Sequence, residues 1–161
     1  MGLIALAAAA AAFAIWFQWT QTRRCLAFFG PAVARRIQAA PRVEVWILHA
    51  GSGQGRITAV SRHDVSAAPG LVHLRHGLVE DANYDWHAPG DGTPAWNVAV
   101  AFFDDDAAPR PAALVAFDVD RGGAMTVVGR PGKIRLGRLA AGLRKWLAGV
   151  VPGAAAGDVS G

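Results

Sequence analysis

The chain has 161 residues, of which 53% are hydrophobic and 17% are charged; this composition excludes an intrinsically disordered protein, and the length allows one globular domain. Its single cysteine, Cys25, excludes a disulfide scaffold and a cysteine-rich zinc finger. The net charge of +4 comes from two basic ends, residues 1–42 and 129–161, on either side of an acidic middle, which argues against nucleic-acid binding because that function needs one continuous positive face.

The first element is an apolar segment that predicts a transmembrane anchor over residues 1–22. No charged side chain precedes Arg23, and a helix of this length approaches the ~30 Å hydrocarbon core of a membrane. Trp16 and Trp19 stand where aromatic side chains meet lipid headgroups, and Arg24 extends the positive flank. The positive-inside rule then predicts a single-pass protein with a cytoplasmic body. The alternatives are a cleaved signal peptide, which would export the body, and a buried helix of a soluble protein.

Residues 23–41 predict a juxtamembrane pair of short helices. Thr22 is suited to cap the first helix, and Gly30 to end it. Pro31 is suited to the first turn of the second helix, which ends before Pro41.

Residues 42–151 predict one α+β domain with a small, mainly antiparallel sheet. A glycine-rich turn over residues 51–55 joins the first two of its strands into a hairpin. Runs of β-branched and aromatic residues predict five strands, over Val43–His49, Ile57–Val60, Trp96–Phe103, Ala112–Asp118 and Ala124–Gly129.

Two amphipathic segments predict helices that cover the sheet. Residues 136–150 repeat apolar side chains at helical spacing. Residues 71–80 do the same, although a strand over residues 71–75 also fits. The small, polar residues 152–161 predict a disordered tail.

A candidate metal site lies on the first of these helices. His73, His76 and Glu80 stand at helical positions i, i+3 and i+7, so that a helix would point all three the same way. Zinc is the metal that such a set of ligands favours, and a zinc-bound water would make the protein a metal-dependent hydrolase. The ordinary alternative is the solvated face of an amphipathic helix, since no His-Glu-x-x-His motif is present.

The stretch from Asp81 to Asp85 resembles the start of a calcium-binding loop, with oxygen-bearing side chains on alternate residues. It departs from that pattern because Trp86 and Gly92 stand where the loop needs a glycine and a bidentate glutamate. Turn formation therefore explains these residues better than calcium binding.

The second helix predicts a membrane-surface contact. Arg138 and Lys145 lie on its polar side, and a basic amphipathic helix binds anionic headgroups. The alternative is a solvated basic face on a helix that packs against its sheet. Cys25 follows the apolar segment directly, a position typical of acylation or of a thiol with a lowered pKa. A small apolar residue packed between the juxtamembrane helices is the favoured interpretation.

Taken together, the sequence favours a non-catalytic membrane-tethered cytoplasmic domain, held at the membrane by residues 1–22, that binds a protein partner or anionic lipid. The alternatives are a metal-dependent hydrolase that uses His73, His76 and Glu80, and an exported domain released by signal-peptide cleavage.

Overall fold

A computed structural model describes residues 2–49, 57–87, 93–121 and 123–151. The described residues form three α-helices, one 3₁₀ turn and seven strands, which confirms the predicted α+β class. In chain order these are α1 (Gly2–Ala39), β1 (Arg42–Leu48), β2 (Ala59–Asp64), α2 (Leu71–Leu78), the 3₁₀ turn (Asp81–Asn83), β3 (Tyr84–Asp85), β4 (Val98–Phe103), β5 (Ala113–Asp118), β6 (Ala124–Val127), β7 (Ile134–Leu136) and α3 (Leu139–Val150).

All strands belong to one antiparallel sheet in the order β2-β1-β4-β5-β6-β7-β3. Four of the predicted strands are confirmed, and the fifth, Ile57–Val60, is found as β2, which begins two residues later and continues to Asp64. The strands β1 and β2 pair as the expected hairpin, with Val45 opposite His63. The strands β3 and β7 were not predicted, because two or three residues are too few to show a period of two. The interior strand β4 is buried along its whole length, which explains its unbroken apolar sequence.

One face of the sheet carries the main hydrophobic core, and all three helices contribute to it. Phe29 of α1, Leu78 of α2 and Leu143 of α3 meet strand residues such as Val100 and Phe117 there. The opposite face has a smaller cluster of residues from strands and their connections, in which Trp46, Trp96 and Phe103 surround Ala99, Ala101 and Ala116. Helices therefore cover one side of the sheet, as the amphipathic patterns predicted.

The helix α1 is divided at Gly30, where φ is 72° and ψ is 157°. This left-handed conformation suits glycine, because a β-carbon would strain the backbone. At this break the carbonyl of Phe29 accepts a hydrogen bond from the Arg130 guanidinium. Pro31 then begins the second half of α1. The predicted break between Gly30 and Pro31 is thus confirmed.

The segment from α2 to the 3₁₀ turn holds both ends of the buried part of α1. At the C-terminal end, Arg75 donates hydrogen bonds of 2.8 and 2.7 Å to the carbonyls of Gln38 and Ala40. At the other end, the Asp81 carboxylate accepts the backbone N–H groups of Arg24 and Cys25 at 2.9 and 2.7 Å. Arg75 thus satisfies carbonyls that have no partner within the helix, and its positive charge suits a helix C-terminus.

The Asp81 contacts show where the packed part of α1 begins. Residues 24 and 25 lie inside α1, which is helical on both sides of them, so the contact holds the helix from its side. The carboxylate comes from 57 residues further along the chain. Because α1 continues through Thr22, the structure shows no helix start for the predicted Thr22 cap.

The helix α1 runs continuously across the predicted boundary between residues 22 and 23. Its later residues Cys25, Phe29, Ile37 and the following Ala40 are buried in the same core as the strands. The predicted juxtamembrane segment over residues 23–41 therefore contributes directly to the core of the α+β domain.

No helix in the part of the chain that the structure describes is long and apolar enough to cross a membrane. The transmembrane anchor predicted over residues 1–22 is therefore not found, and a helix that continues into the packed domain stands in its place.

Three other predictions concern the ends of elements. The helix predicted over residues 71–80 is confirmed as α2, which excludes the alternative strand and ends two residues early, at Leu78. The helix predicted over residues 136–150 begins three residues late, at Leu139, because Leu136 belongs to β7. The predicted glycine turn (51–55) and the predicted tail (152–161) lie outside the described residues.

The Asp81 contacts lead to a stability prediction. We expect Asp81→Ala to lower the free energy of unfolding by about 1–3 kcal/mol, because α1 loses two hydrogen bonds to a charged acceptor. Asp81→Asn keeps one acceptor oxygen and should lose about half as much. Urea denaturation of the full chain measures both changes.

The matched control for this experiment is Asp106→Ala, which removes an exposed carboxylate from the loop after β4. An exposed residue of this kind should change stability by no more than about 0.5 kcal/mol. Equal effects of the two alanine variants would show that the Asp81 carboxylate does not hold α1.

Candidate functional site

A groove of about 560 Å³ lies between the first turn of α2 and the full length of α3. This volume is within the ~300–1,000 Å³ range of pockets that hold small molecules. Its walls are largely apolar and include Leu74, Leu139, Leu143, Trp146 and Val150. The groove is therefore a candidate for a small-molecule binding site.

Two glycines keep the α3 side of the groove open. Gly142 and Gly149 both line it, and a β-carbon built on either would meet no atom within 4 Å. They are seven residues apart and so lie on the same side of the helix. Each costs α3 about 1 kcal/mol relative to alanine, since glycine disfavours the helix. The sequence analysis missed this pair, whose spacing within an alanine- and leucine-rich helix was the available signal.

Trp146 lines the groove and joins α3 to the chain before α2. Its indole Nε1 donates a 3.0 Å hydrogen bond to the carbonyl of Pro69. The ring also packs against Gly70, whose φ is 82° and whose β-carbon would come within 3.1 Å of the indole. The Trp146 indole is thus positioned by a hydrogen bond and by its contact with Gly70, whose backbone conformation favours glycine.

The charged groups at the groove are basic. Lys145 and His73 line it, and no aspartate or glutamate is among its lining residues. Arg138 precedes α3 and lies seven residues before Lys145, hence on the same side of the helix. Both basic side chains are exposed. Of the two predicted membrane-surface residues, Lys145 therefore lines the groove, and Arg138 lies on the same side of the helix outside the lining.

The three predicted metal ligands are not brought together. His73 and His76 are exposed residues of α2, whereas Glu80 lies beyond the end of that helix at Leu78. The Glu80 carboxylate accepts a hydrogen bond from the Asn83 amide at 3.3 Å. Among the described residues, no group of three or more histidine, cysteine, aspartate or glutamate side chains could hold a metal ion. The zinc hypothesis thus gains no support from the geometry.

The residues that resemble a calcium loop have structural partners. Asp81 holds α1, and Asp85 accepts the backbone N–H of His87 at 3.2 Å. The Asn83 amide donates to the carbonyl of Gly77 at 2.9 Å and so closes the chain after α2. These contacts confirm that turn formation accounts for the stretch.

Cys25 is fully buried in the main core. Burial raises the pKa of its thiol well above the ordinary range, and the hydrogen bond and negative charge of Asp81 and the charge of Glu80 raise it further. The alternative of a lowered thiol pKa is therefore wrong, because the thiol is buried and the neighbouring charges are negative. The favoured interpretation, a small buried residue, is confirmed, but Cys25 packs in the main core of the domain rather than between two juxtamembrane helices.

Comparisons with known proteins return nothing: no family model, no curated protein and no solved structure matches the chain. Any proposal about function depends on the chain's own residues.

The contact between Trp146 and Gly70 can be tested by a substitution at Gly70. We expect Gly70→Ala to destabilise the protein by about 1–2 kcal/mol, because alanine is strained at this positive φ and its methyl group meets the indole. Thermal unfolding measures the effect. Gly142→Ala is the matched control, and it should raise the melting temperature because its methyl group enters open space. A neutral Gly70→Ala would mean that Trp146 is not held against this turn.

The buried thiol leads to a second test. Cys25 should react with a thiol reagent far more slowly in the folded protein than in urea, because the thiol is both inaccessible and held protonated.

The folded chain keeps this proton above the ordinary thiol pKa of about 8.5, where the unfolded chain releases it. Stability should therefore fall as the pH rises above that value. Rapid labelling of the folded protein at pH 8 would contradict the buried position.

Proposed function

We propose that this chain is a non-catalytic domain that binds the surface of an anionic membrane. The observation that carries the proposal is the exposed basic side of α3, on which Arg138 and Lys145 lie beside an apolar groove. Basic side chains attract anionic headgroups, and apolar surface next to them favours contact with the membrane interface.

The surrounding sequence supports this charge pattern. No acidic residue occurs between Asp120 and Asp158. Within the described residues 123–151, six arginine and lysine side chains are present, and Arg135 and Arg144 are exposed together with the two on the groove side. In the acidic loop after β4, Asp104 forms an ion pair with Arg36 at 3.0 Å, away from α3. The basic side of α3 thus has no acidic residue nearby in sequence to neutralise it.

The N-terminal part of α1 supports a second contact with the same membrane. Leu6, Phe13 and Trp16 are 69%, 62% and 58% exposed on this helix. Large apolar side chains on one helix, followed by Arg23 and Arg24, are typical of an element that lies against a membrane interface.

The hydrolase alternative has no supporting geometry among the described residues, because Glu80 lies outside the helix that carries His73 and His76. Neither the cytoplasmic location of the body nor the alternative of export has been tested, and both stay predictions.

The test compares binding to anionic and neutral vesicles. We expect the full chain to bind phosphatidylglycerol-containing vesicles more tightly than pure phosphatidylcholine vesicles. Reversal of two charges in Arg138→Glu, Lys145→Glu should reduce binding to the anionic vesicles at least about thirtyfold, since each basic residue near the surface contributes about 1 kcal/mol. Flotation over a lipid concentration series measures the affinity. Because α1 is the same in both proteins, the ratio of anionic to neutral affinity isolates the basic side of α3.

The matched control is Arg35→Glu, Arg110→Glu, which makes the same change in net charge at two exposed positions elsewhere. Its affinity for anionic vesicles should fall far less. Equal losses in the two double variants would mean that only net charge matters, and the proposed surface would be wrong.

A further inference from the structure

We propose that the groove between α2 and α3 binds the single apolar chain of a long-chain carboxylate, with the negative head beside Lys145. The inference rests on the proposed function in one respect: the ligand reaches the groove from the anionic surface that α3 contacts. The two proposals share Lys145, but they are measured with different probes and can fail separately.

The shape of the groove fits an unbranched chain. It follows α3 from Leu139 to Val150, a length of about 17 Å at 1.5 Å per residue. Its lining is largely apolar along this path, and the openings at Gly142 and Gly149 leave room for a chain to lie against the helix. A ligand of this form would bury apolar surface against α3, and on a second side where the first turn of α2 forms the other wall.

The opposite wall argues against a bound peptide helix. The α2 side of the groove consists only of residues 69–74, of which Gly70, His73 and Leu74 face α3 from a single turn. A helix in a groove needs anchor pockets spread over two turns or more, and it is about 10–12 Å wide with its side chains. One turn of wall suits the narrower cross-section of an acyl chain.

The charges at the groove determine which head group fits. Lys145 and His73 are the titratable side chains that line it, and Arg138 stands on the same side of α3. A carboxylate placed there pairs with an ammonium group, whereas a cationic head meets like charges. Two chains of a phospholipid would exceed a groove of about 560 Å³ whose two sides are one helix and one helical turn.

The experiment uses the full chain and two detergent-like probes below their micelle concentrations. Dodecanoate and dodecyltrimethylammonium have opposite charges and unbranched alkyl chains that differ by one carbon. Isothermal titration calorimetry measures affinity and stoichiometry. We expect one dodecanoate per chain, bound about tenfold or more tightly than the cationic probe. Lys145→Glu should remove or reverse this preference.

Variants on α3 separate occupation of the groove from general surface binding. Gly142→Leu and Gly149→Leu fill the groove and should weaken dodecanoate binding about tenfold or more. A β-carbon at either position meets no atom within 4 Å, and loss of a glycine favours the helix, so the melting temperature should not fall. The matched controls Ala141→Leu and Ala148→Leu add leucine at exposed positions of α3 outside the groove. They should bind within about twofold of the original chain.

Several results would overturn the proposal. These are the absence of dodecanoate binding to the folded chain, equal effects of the glycine and alanine variants, and equal binding of the two probes. Saturation of the groove by an acidic amphipathic peptide but not by dodecanoate would assign it to a protein partner instead. A dimer that Gly142→Leu dissociates, seen by sedimentation, would assign it to a second copy of the chain.

The vesicle assay keeps the two proposals apart. If Gly142→Leu loses dodecanoate but still binds anionic vesicles, then both proposals stand. If vesicle binding shows no preference for anionic lipid while dodecanoate binds one to one, the groove is a ligand site and the proposed membrane function is wrong.

Discussion

The position of α1 on the sheet depends on two opposite charges that hold the two ends of its buried part. Asp81 accepts the backbone N–H groups of Arg24 and Cys25 inside the continuous helix, and Arg75 donates to carbonyls at the C-terminal end. Both residues come from one short segment that contains α2. The positive charge of Arg75 matches the helix dipole at that end, and the two sets of contacts together fix α2 beside α1. The helix α3 in turn contacts α2.

The candidate binding groove follows from that arrangement. The first turn of α2 forms one wall, and Trp146 ties the opposite wall on α3 to the carbonyl of Pro69. The space between them stays open because glycine stands at positions 142 and 149 of α3. A side chain at either position would favour the helix and fill the groove. The molecule therefore has an apolar cleft with basic residues at its edge, and both proposals start from that combination.

Local patterns predicted most of the fold. Periodicity identified five strands and two helices, and the Gly30-Pro31 pair marked the break in α1. These elements depend on residues that are close in sequence, so the pattern carries enough information. The two short strands β3 and β7 were missed because each is completed by its partner, with Tyr84 opposite Leu136. A strand of two or three residues has no pattern of its own.

The sequence by itself determined the α+β class, the antiparallel sheet, the helical break at Gly30 and the basic character of α3, because each arises from neighbouring residues or from composition. Only the tertiary structure decided the surroundings of the candidate sites. Burial beside Asp81 made Cys25 a protected core thiol, and the end of α2 at Leu78 left Glu80 away from the two histidines. The groove joins residues about seventy positions apart. Such contacts depend on how the elements pack, which local periodicity does not record.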